Sequence, residues 1–145
     1  KEDGFEVSEL FRSEHLLAVP HTHPLAQRES ISALELKDEP FIMMTKDFTL
    51  RENTIRYCHA AGFEPSVIFE SSQWDLIAEL VAENLGIAIL PGPVLQKYRN
   101  KRMCLLRLND PPFPWLVGIM TLKNKRHSLA VRSFLQLLSE QQPHF

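Results

Sequence analysis

The residues best suited to chemistry in this sequence are polar side chains at one predicted turn between an apolar run and an amphipathic helix. The turn reads Ser71, Ser72, Gln73, and Trp74 follows it. Backbone N–H groups at a helix start have no partner within the helix, and the helix dipole favours negative charge there. The turn is therefore a candidate anion site. The same pattern predicts that Ser72 caps the helix, with Asp75 three residues later, and capping is compatible with ligand contact.

A second helix start has the same form. An apolar run at residues 41–44 precedes it, and Thr49 and Glu52 have the spacing of a capping box. Gly62 is expected to cap the end of this helix, and a short strand follows near Val67. The middle of the chain is therefore predicted to be β-α-β-α-β. Right-handed crossovers would place both helix starts on one rim of a parallel sheet, where open α/β folds bind ligands.

The helix that begins near Trp74 carries apolar residues at steps of three and four, which predicts one wide buried face. Gly86 is predicted to be its left-handed C-terminal cap. Residues 87–90 form a continuous apolar run, which is typical of a strand covered on both faces.

The flanking segments predict further elements. Residues 15–19 and 103–108 read as strands, and residues 115–122 as a strand interrupted at Gly118. Ser128 is expected to cap a final helix.

Length, net charge and cysteine content limit the classes of protein to which this chain can belong. The chain has 145 residues, enough for one domain or two small lobes, and its net charge of −2 does not favour nucleic acid. No apolar run approaches membrane-spanning length, and no signal peptide is visible. Because the chain begins with Lys1, we expect a fragment or a processed product. Cys58 and Cys104 are predicted to be reduced, mostly buried thiols.

Other chemistries find little support. His21 and His23 supply two imidazoles, but no further side chain at ligand spacing completes a zinc site. Asp47 and Asp75 each lie where a helix start favours an acid, so we do not interpret them as a catalytic pair. No cofactor is predicted.

The order of these segments resembles the effector-binding region of LysR-type transcriptional regulators. HLLAVPHTHPLA (15–26) and GFEPSVIFESSQWDLIAELVAENLGIAILP (62–91) carry the resemblance, followed by a late apolar strand and a terminal helix. The family pattern V-x-x-G-x-G-I-x-x-L-P matches residues 81–91, with Asn84 in place of the first glycine.

The resemblance implies an α/β fold like that of type 2 periplasmic binding proteins, with two lobes, mixed but mostly parallel sheets, and an incomplete first lobe. Residues 1–25 would be the returning part of the first lobe and a crossover. Residues 26–113 would be a complete second lobe, and residues 114–145 the second crossover strand and C-terminal helix. The family's N-terminal winged helix-turn-helix and the first βα units of lobe one are expected to be absent.

The function that the resemblance implies is sensing of a small effector, preferably anionic, in a cleft between lobes. In this family the loop equivalent to residues 45–49 commonly contacts the effector, which implies Thr45, Phe48 and Thr49. Together with the turn at the second helix start, the candidate effector-binding residues are Thr45, Phe48, Thr49, Ser71, Ser72, Gln73 and Trp74. A homodimer or tetramer would form through the helix at 49–61 and the strand at Val67, DNA would be bound through the absent domain, and the protein would be cytoplasmic.

Two alternatives remain open at this point. One is a transporter's solute-binding protein of the same fold, against which the missing export signal weighs. The other is an enzyme on this fold, related to prephenate dehydratase or deaminase, which would need a convergent acid, base or nucleophile set that the sequence does not show.

Overall fold

The computed structural model describes residues 4–98, 101–123 and 127–140. The chain forms two compact units: unit 1 comprises Lys1–Ser13 and Pro114–Phe145, and unit 2 comprises Glu14–Phe113. The chain therefore passes between the units twice, once within a long strand and once at the Phe113–Pro114 bond.

The described residues form seven strands, four α-helices and two short 3₁₀ turns. In chain order they are β1 (Phe5–Pro20), a 3₁₀ turn (Pro24–Gln27), β2 (Ser30–Ser32), a 3₁₀ turn (Ala33–Leu36), β3 (Pro40–Met44), α1 (Thr49–Ala60), β4 (Ser66–Ser71), α2 (Trp74–Ala82), β5 (Ala88–Pro91), α3 (Gly92–Tyr98), β6 (Met103–Asp110), β7 (Pro114–Leu122) and α4 (Leu129–Glu140).

Unit 2 contains the predicted β-α-β-α-β arrangement. Strands β3 and β4 are parallel, and Ile87 forms a parallel bridge to Phe41 on the other side of β3. The Ile87 N–H donates to Pro40 O and the Ile42 N–H donates to Ile87 O, both at 2.8 Å. Beyond Ile87 the chain continues as β5, which is antiparallel to β1, and β1 is in turn antiparallel to β6. Because β2 is parallel to β6, this five-stranded sheet is mixed, whereas β3 and β4 form a parallel two-stranded sheet.

The core of unit 2 consists of two apolar clusters to which alternate residues of the same strands contribute. In β1, Leu17 and Val19 belong to one cluster, and Leu16 and Ala18 to the other. The run at 87–90 divides in the same way, so the predicted strand covered on both faces is confirmed. Burial on both faces is the reason these strands appear in the sequence as unbroken apolar runs rather than alternating ones.

The predicted role of Gly86 as a left-handed cap is wrong. Helix α2 ends at Ala82, and Asn84 takes the left-handed conformation with φ of 61°. Asn tolerates this region better than most side chains because its short amide bonds locally. Gly86 is required for another reason: a Cβ there would lie 2.6 Å from Pro40 O, where the chain passes close to β3.

The two predicted capping boxes are also wrong. The residue that precedes α1 is Phe48, so Thr49 is already helical, and α2 is preceded by Gln73 rather than Ser72. Neither preceding residue makes a side-chain capping hydrogen bond. Helix α1 begins one residue before, and α2 one residue after, the position that its motif predicts. By contrast, Gly62 follows α1 with φ of 90°, as predicted.

Unit 1 pairs the first part of β1 with β7, and α4 belongs to the same unit. The predicted cap of α4 is confirmed, since the Val131 N–H donates to Ser128 Oγ at 3.3 Å. The predicted interruption at Gly118 is wrong, because β7 is continuous. A Cβ at Gly118 would lie 3.0 Å from Ser8 O, so the glycine permits close approach of the paired strands.

Candidate functional site

The two predicted helix starts lie side by side on one rim of unit 2. Met44 and Ser71, the last residues of β3 and β4, are partners in the parallel pair. Immediately beyond them, the Thr45 N–H donates to Ser71 O at 3.1 Å. We name residues 45–49 the effector loop and residues 71–74 the serine turn. Parallel pairing of β3 and β4 is what brings them together, as right-handed crossovers predict.

The serine turn is held by its own side chains. Ser71 is buried, and its Oγ accepts the Gln73 N–H at 3.0 Å. The first hydrogen bond of α2 follows, from the Ile77 N–H to Gln73 O. Asp75 Oδ1 accepts the Leu76 N–H at 2.9 Å. Ser72 and Gln73 are exposed, so an amide and a hydroxyl remain at the surface beside the free N–H groups of the helix start.

An aromatic pair connects the effector loop to the serine turn. The rings of Phe48 and Trp74 meet edge to face with centroids 5.8 Å apart. Both are half-buried against the apolar cluster that contains Met44 and Ile77. Trp74 thus has a core role on one side and an accessible surface on the other, and the pair fixes the spacing of the two loops. Thr45 is half-buried and Thr49 exposed.

An ion pair reinforces the same rim and was not predicted from the sequence. Arg51 Nε, in the first turn of α1, donates to Glu70 Oε1 of β4 at 2.7 Å. Both side chains are about one-third exposed or less. The two residues are nineteen positions apart and lie on different kinds of element, so no spacing rule connects them. Only the parallel pairing of β3 with β4 makes them neighbours.

The formal charge of the rim does not by itself favour an anion. Residues 45–51 and 70–75 contain Lys46 and Arg51 against Asp47, Glu70 and Asp75. Because Arg51 is already paired with Glu70, attraction of an anion depends mainly on Lys46, on free N–H groups and on the helix dipoles.

Three features of the described residues bear on metal binding and on membrane insertion. No group of three His, Cys, Asp or Glu side chains is placed to hold a metal ion. His23 is occupied by the protein, since Nε2 lies 3.1 Å from Glu39 Oε2 and Nδ1 accepts the Leu25 N–H. No helix within these residues is long and apolar enough to cross a membrane.

Both cysteines are free, as predicted. Cys58 is fully buried in the core of unit 2, and this burial raises the pKa of its thiol to about 12. Cys104 is half-buried. A thiol with so high a pKa carries almost no thiolate at neutral pH and is a poor nucleophile.

A groove of about 410 Å³ lies elsewhere, within unit 1. Leu10, Ile119, Leu135 and Leu138 supply its apolar lining, with Glu6 and Glu9 at its edge. None of the predicted effector-binding residues contributes to it. The groove is therefore a mixed polar and apolar surface of unit 1 and not part of the rim.

Comparison with known proteins agrees with this geometry. The family described as LysR substrate binding domain matches residues 1–143. The uncharacterized HTH-type transcriptional regulator YwbI of Bacillus subtilis is 37% identical over 135 residues, which are 93% of this chain and 45% of the relative. The chain spans less than half the length of the curated relatives with which it aligns.

Solved structures show the same fold. The effector binding domain of QuiR in complex with shikimate has a TM-score of 0.78 at 24% identity, with 95% of this chain and 65% of that chain covered. The Synechocystis PCC6803 CcmR regulatory domain in complex with 2-PG has a TM-score of 0.81 at 22% identity, covering 97% and 68%.

The chain belongs to the LysR substrate binding domain family. Its fold is the mixed α/β fold of LysR effector domains, like that of type 2 periplasmic binding proteins, which confirms the predicted fold class. The relatives with which it aligns are named as transcriptional regulators.

Proposed function

We propose that the chain is the effector-sensing domain of a cytoplasmic bacterial LysR-type regulator, and that a small, preferably anionic metabolite binds at the rim formed by the effector loop and the serine turn. The observation that carries this proposal is the hydrogen bond from the Thr45 N–H to Ser71 O, which fixes two helix starts side by side. Family membership supports the sensing role. The relatives titled as complexes with shikimate and 2-PG support a small hydroxylated or anionic ligand.

The binding residues in this proposal are Thr45, Phe48, Thr49, Ser71, Ser72, Gln73 and Trp74. The polar groups would hold the ligand, while Phe48 and Trp74 would offer an apolar wall. Ser71 is buried and bonded to the Gln73 N–H, so its side chain positions the turn, and its contribution to binding would be indirect. The mechanism is differential binding: the effector shifts the equilibrium between conformations by the difference in its affinity for them.

We further propose that residues 26–113 form the second lobe of this sensor and that residues 1–25 and 114–145 belong to the first lobe and the crossovers. The division of the chain into a continuous unit 2 and a discontinuous unit 1 supports this assignment outside residues 14–25, which lie in unit 2. DNA would be bound through a separate N-terminal domain.

Oligomerisation would use α1 and β4. Strand β4 is paired only with β3 among the described strands, and Ile68 and Phe69 on it are 52% and 44% exposed. An exposed apolar edge strand beside a helix is a surface that proteins normally cover. A second copy of the chain is the partner we propose.

Trp74 supplies the direct binding test. With Trp115→Phe, Trp74 becomes the single tryptophan, since the chain has two. We expect shikimate or 2-phosphoglycolate to change its fluorescence in a saturable way. Thr45→Val and Gln73→Ala should each weaken binding about 10- to 150-fold, the loss that one hydrogen bond to a charged group produces.

The matched control is Thr22→Val, which removes an exposed hydroxyl remote in sequence from the rim and should leave affinity unchanged. Equal affinity of the Thr45, Gln73 and Thr22 variants would contradict the site. In the full-length protein, operator binding should change with the same metabolite. Turnover of the bound acid would contradict the non-enzymatic function.

A further inference from the structure

A cluster of three aromatic side chains lies where the chain leaves unit 2. Phe113 is the last residue of that unit, which begins at Glu14, and His15 is its second residue. The His15 N–H donates to Phe113 O at 2.8 Å, and His15 Nδ1 lies 3.2 Å from the same oxygen. Their rings are 4.2 Å apart. The two connecting segments are thus bound to each other before they enter unit 1.

Helix α1 holds this pair from the core side. The ring of Tyr57 stacks on Phe113 with centroids 4.5 Å apart and an interplanar angle of 7°. The Tyr57 hydroxyl donates to Pro111 O at 2.7 Å. Tyr57 is 7% exposed and His15 is 4% exposed, whereas Phe113 is half-buried and Pro111 is exposed, so the two hydrogen bonds are only partly shielded from water.

Tyr57 also lies on the helix that begins at the effector loop. It is eight residues from Thr49, a distance of about 12 Å along the axis at 1.5 Å per residue. A helix of this length moves as one body, because its backbone hydrogen bonds are retained when it tilts. Displacement of the start of α1 must therefore reach Tyr57, and through its ring and hydroxyl it must reach residues 111–113.

We propose that Tyr57 is a positioning residue that couples α1, and with it the effector loop, to both segments through which the chain passes from unit 2 to unit 1. The contacts of Tyr57 with Phe113 and Pro111 are observed in the structure, whereas the use of the coupling in effector sensing rests on the proposed function. Neither the predicted effector-binding residues nor the ion pair of the rim includes Tyr57, Phe113 or His15.

Amide hydrogen exchange on the 145-residue chain tests the coupling without any ligand. Tyr57→Phe keeps the ring stack and removes the hydrogen bond to Pro111 O, so the His15 amide should exchange about fivefold faster. The amides of Leu17 and Ala18 in the same strand should keep their rates. Tyr57→Leu removes the stack as well and should accelerate the His15 amide further.

The matched control is Tyr98→Phe, since Tyr98 is the other tyrosine of the chain and is half-buried on α3. It should leave the His15 amide unchanged. A purely stabilising role of Tyr57 would accelerate the His15, Leu17 and Ala18 amides by one common factor, and this result would overturn the proposal. Unchanged exchange at His15 would overturn it equally. Failure of every metabolite to bind would count against the proposed function alone.

Discussion

Substitution of Gly86 gives the sharpest test of how the helix α2 to β5 connection is built. A Cβ on this residue would lie 2.6 Å from Pro40 O, 3.2 Å from Ile42 Cγ1 and 3.4 Å from Ile42 Cδ1. The first contact is with backbone, which cannot swing away as a side chain can. Moreover, Pro40 O accepts the Ile87 N–H, and the adjacent bond joins the Ile42 N–H to Ile87 O. Gly86→Ala must therefore separate the chain from β3.

The magnitude follows from these contacts. Overpacking in a filled core costs about 1–3 kcal/mol, and weakening one backbone hydrogen bond costs about 1 kcal/mol. We expect Gly86→Ala to lower the free energy of unfolding of unit 2 by about 2–4 kcal/mol. With a urea slope of about 2 kcal/mol/M, the midpoint should fall by about 1–2 M. In a Trp115→Phe background, Trp74 fluorescence measures the unfolding of unit 2, to which Gly86 and Trp74 both belong.

Gly62 provides the matched control because its requirement is different. Its φ is 90°, and a Cβ there would meet nothing within 4 Å. Gly62→Ala should cost about 1–2 kcal/mol through backbone conformation alone, and Gly62→Asn should cost less. Gly86→Asn should cost more than Gly86→Ala, because the side chain is larger. If Asn were tolerated at position 86 as well as at position 62, the steric explanation would be refuted. Gly86 would then have to be interpreted as a left-handed helix cap.

Four further outcomes are expected. A thiol reagent at about pH 8 should label Cys104 in the native chain, and Cys58 only after unfolding. Alkaline unfolding should set in between about pH 9 and 12, because burial raises the pKa of Cys58 and of Tyr57 to about 12. The contribution of these two groups to the free energy of unfolding is complete below their unfolded pKa values and is lost as the pH rises toward 12. Cys58→Ala should flatten that dependence in calorimetric scans. Ile68→Glu places a charge on the exposed face of β4 and should lower the sedimentation coefficient towards that of the monomer.

The elements with strong apolar patterns could be predicted because burial dominates their energetics. The strand at 87–90 and the crossover arrangement of β3, α1, β4 and α2 follow from runs and periods that tertiary structure does not override. The glycine cap after α1 was predicted correctly, because Gly62 follows the apolar pattern of this helix directly and no other residue nearby suits the cap position.

The local details that failed all depend on contacts distant in sequence. Asn84 and Gly86 both suit a helix end, and only the approach of Pro40 O shows which residue must be glycine and which is left-handed. Gly118 reads as an interruption in one strand and becomes a close-packing position once β1 lies beside it.

The rim shows where sequence inference about the ligand stops. Crossover handedness predicts that two helix starts meet, and family resemblance predicts an effector there. The pairing of Arg51 with Glu70 follows from neither, yet it decides the electrostatics. An acid that binds beside this pair gains attraction from Arg51 only to the extent that it displaces Glu70, and the exchange of one carboxylate for another yields little net energy. In the proposed site, the remaining attraction for an acid therefore comes from Lys46, from backbone N–H groups and from the helix dipoles, so Lys46→Gln should weaken binding as well as Gln73→Ala.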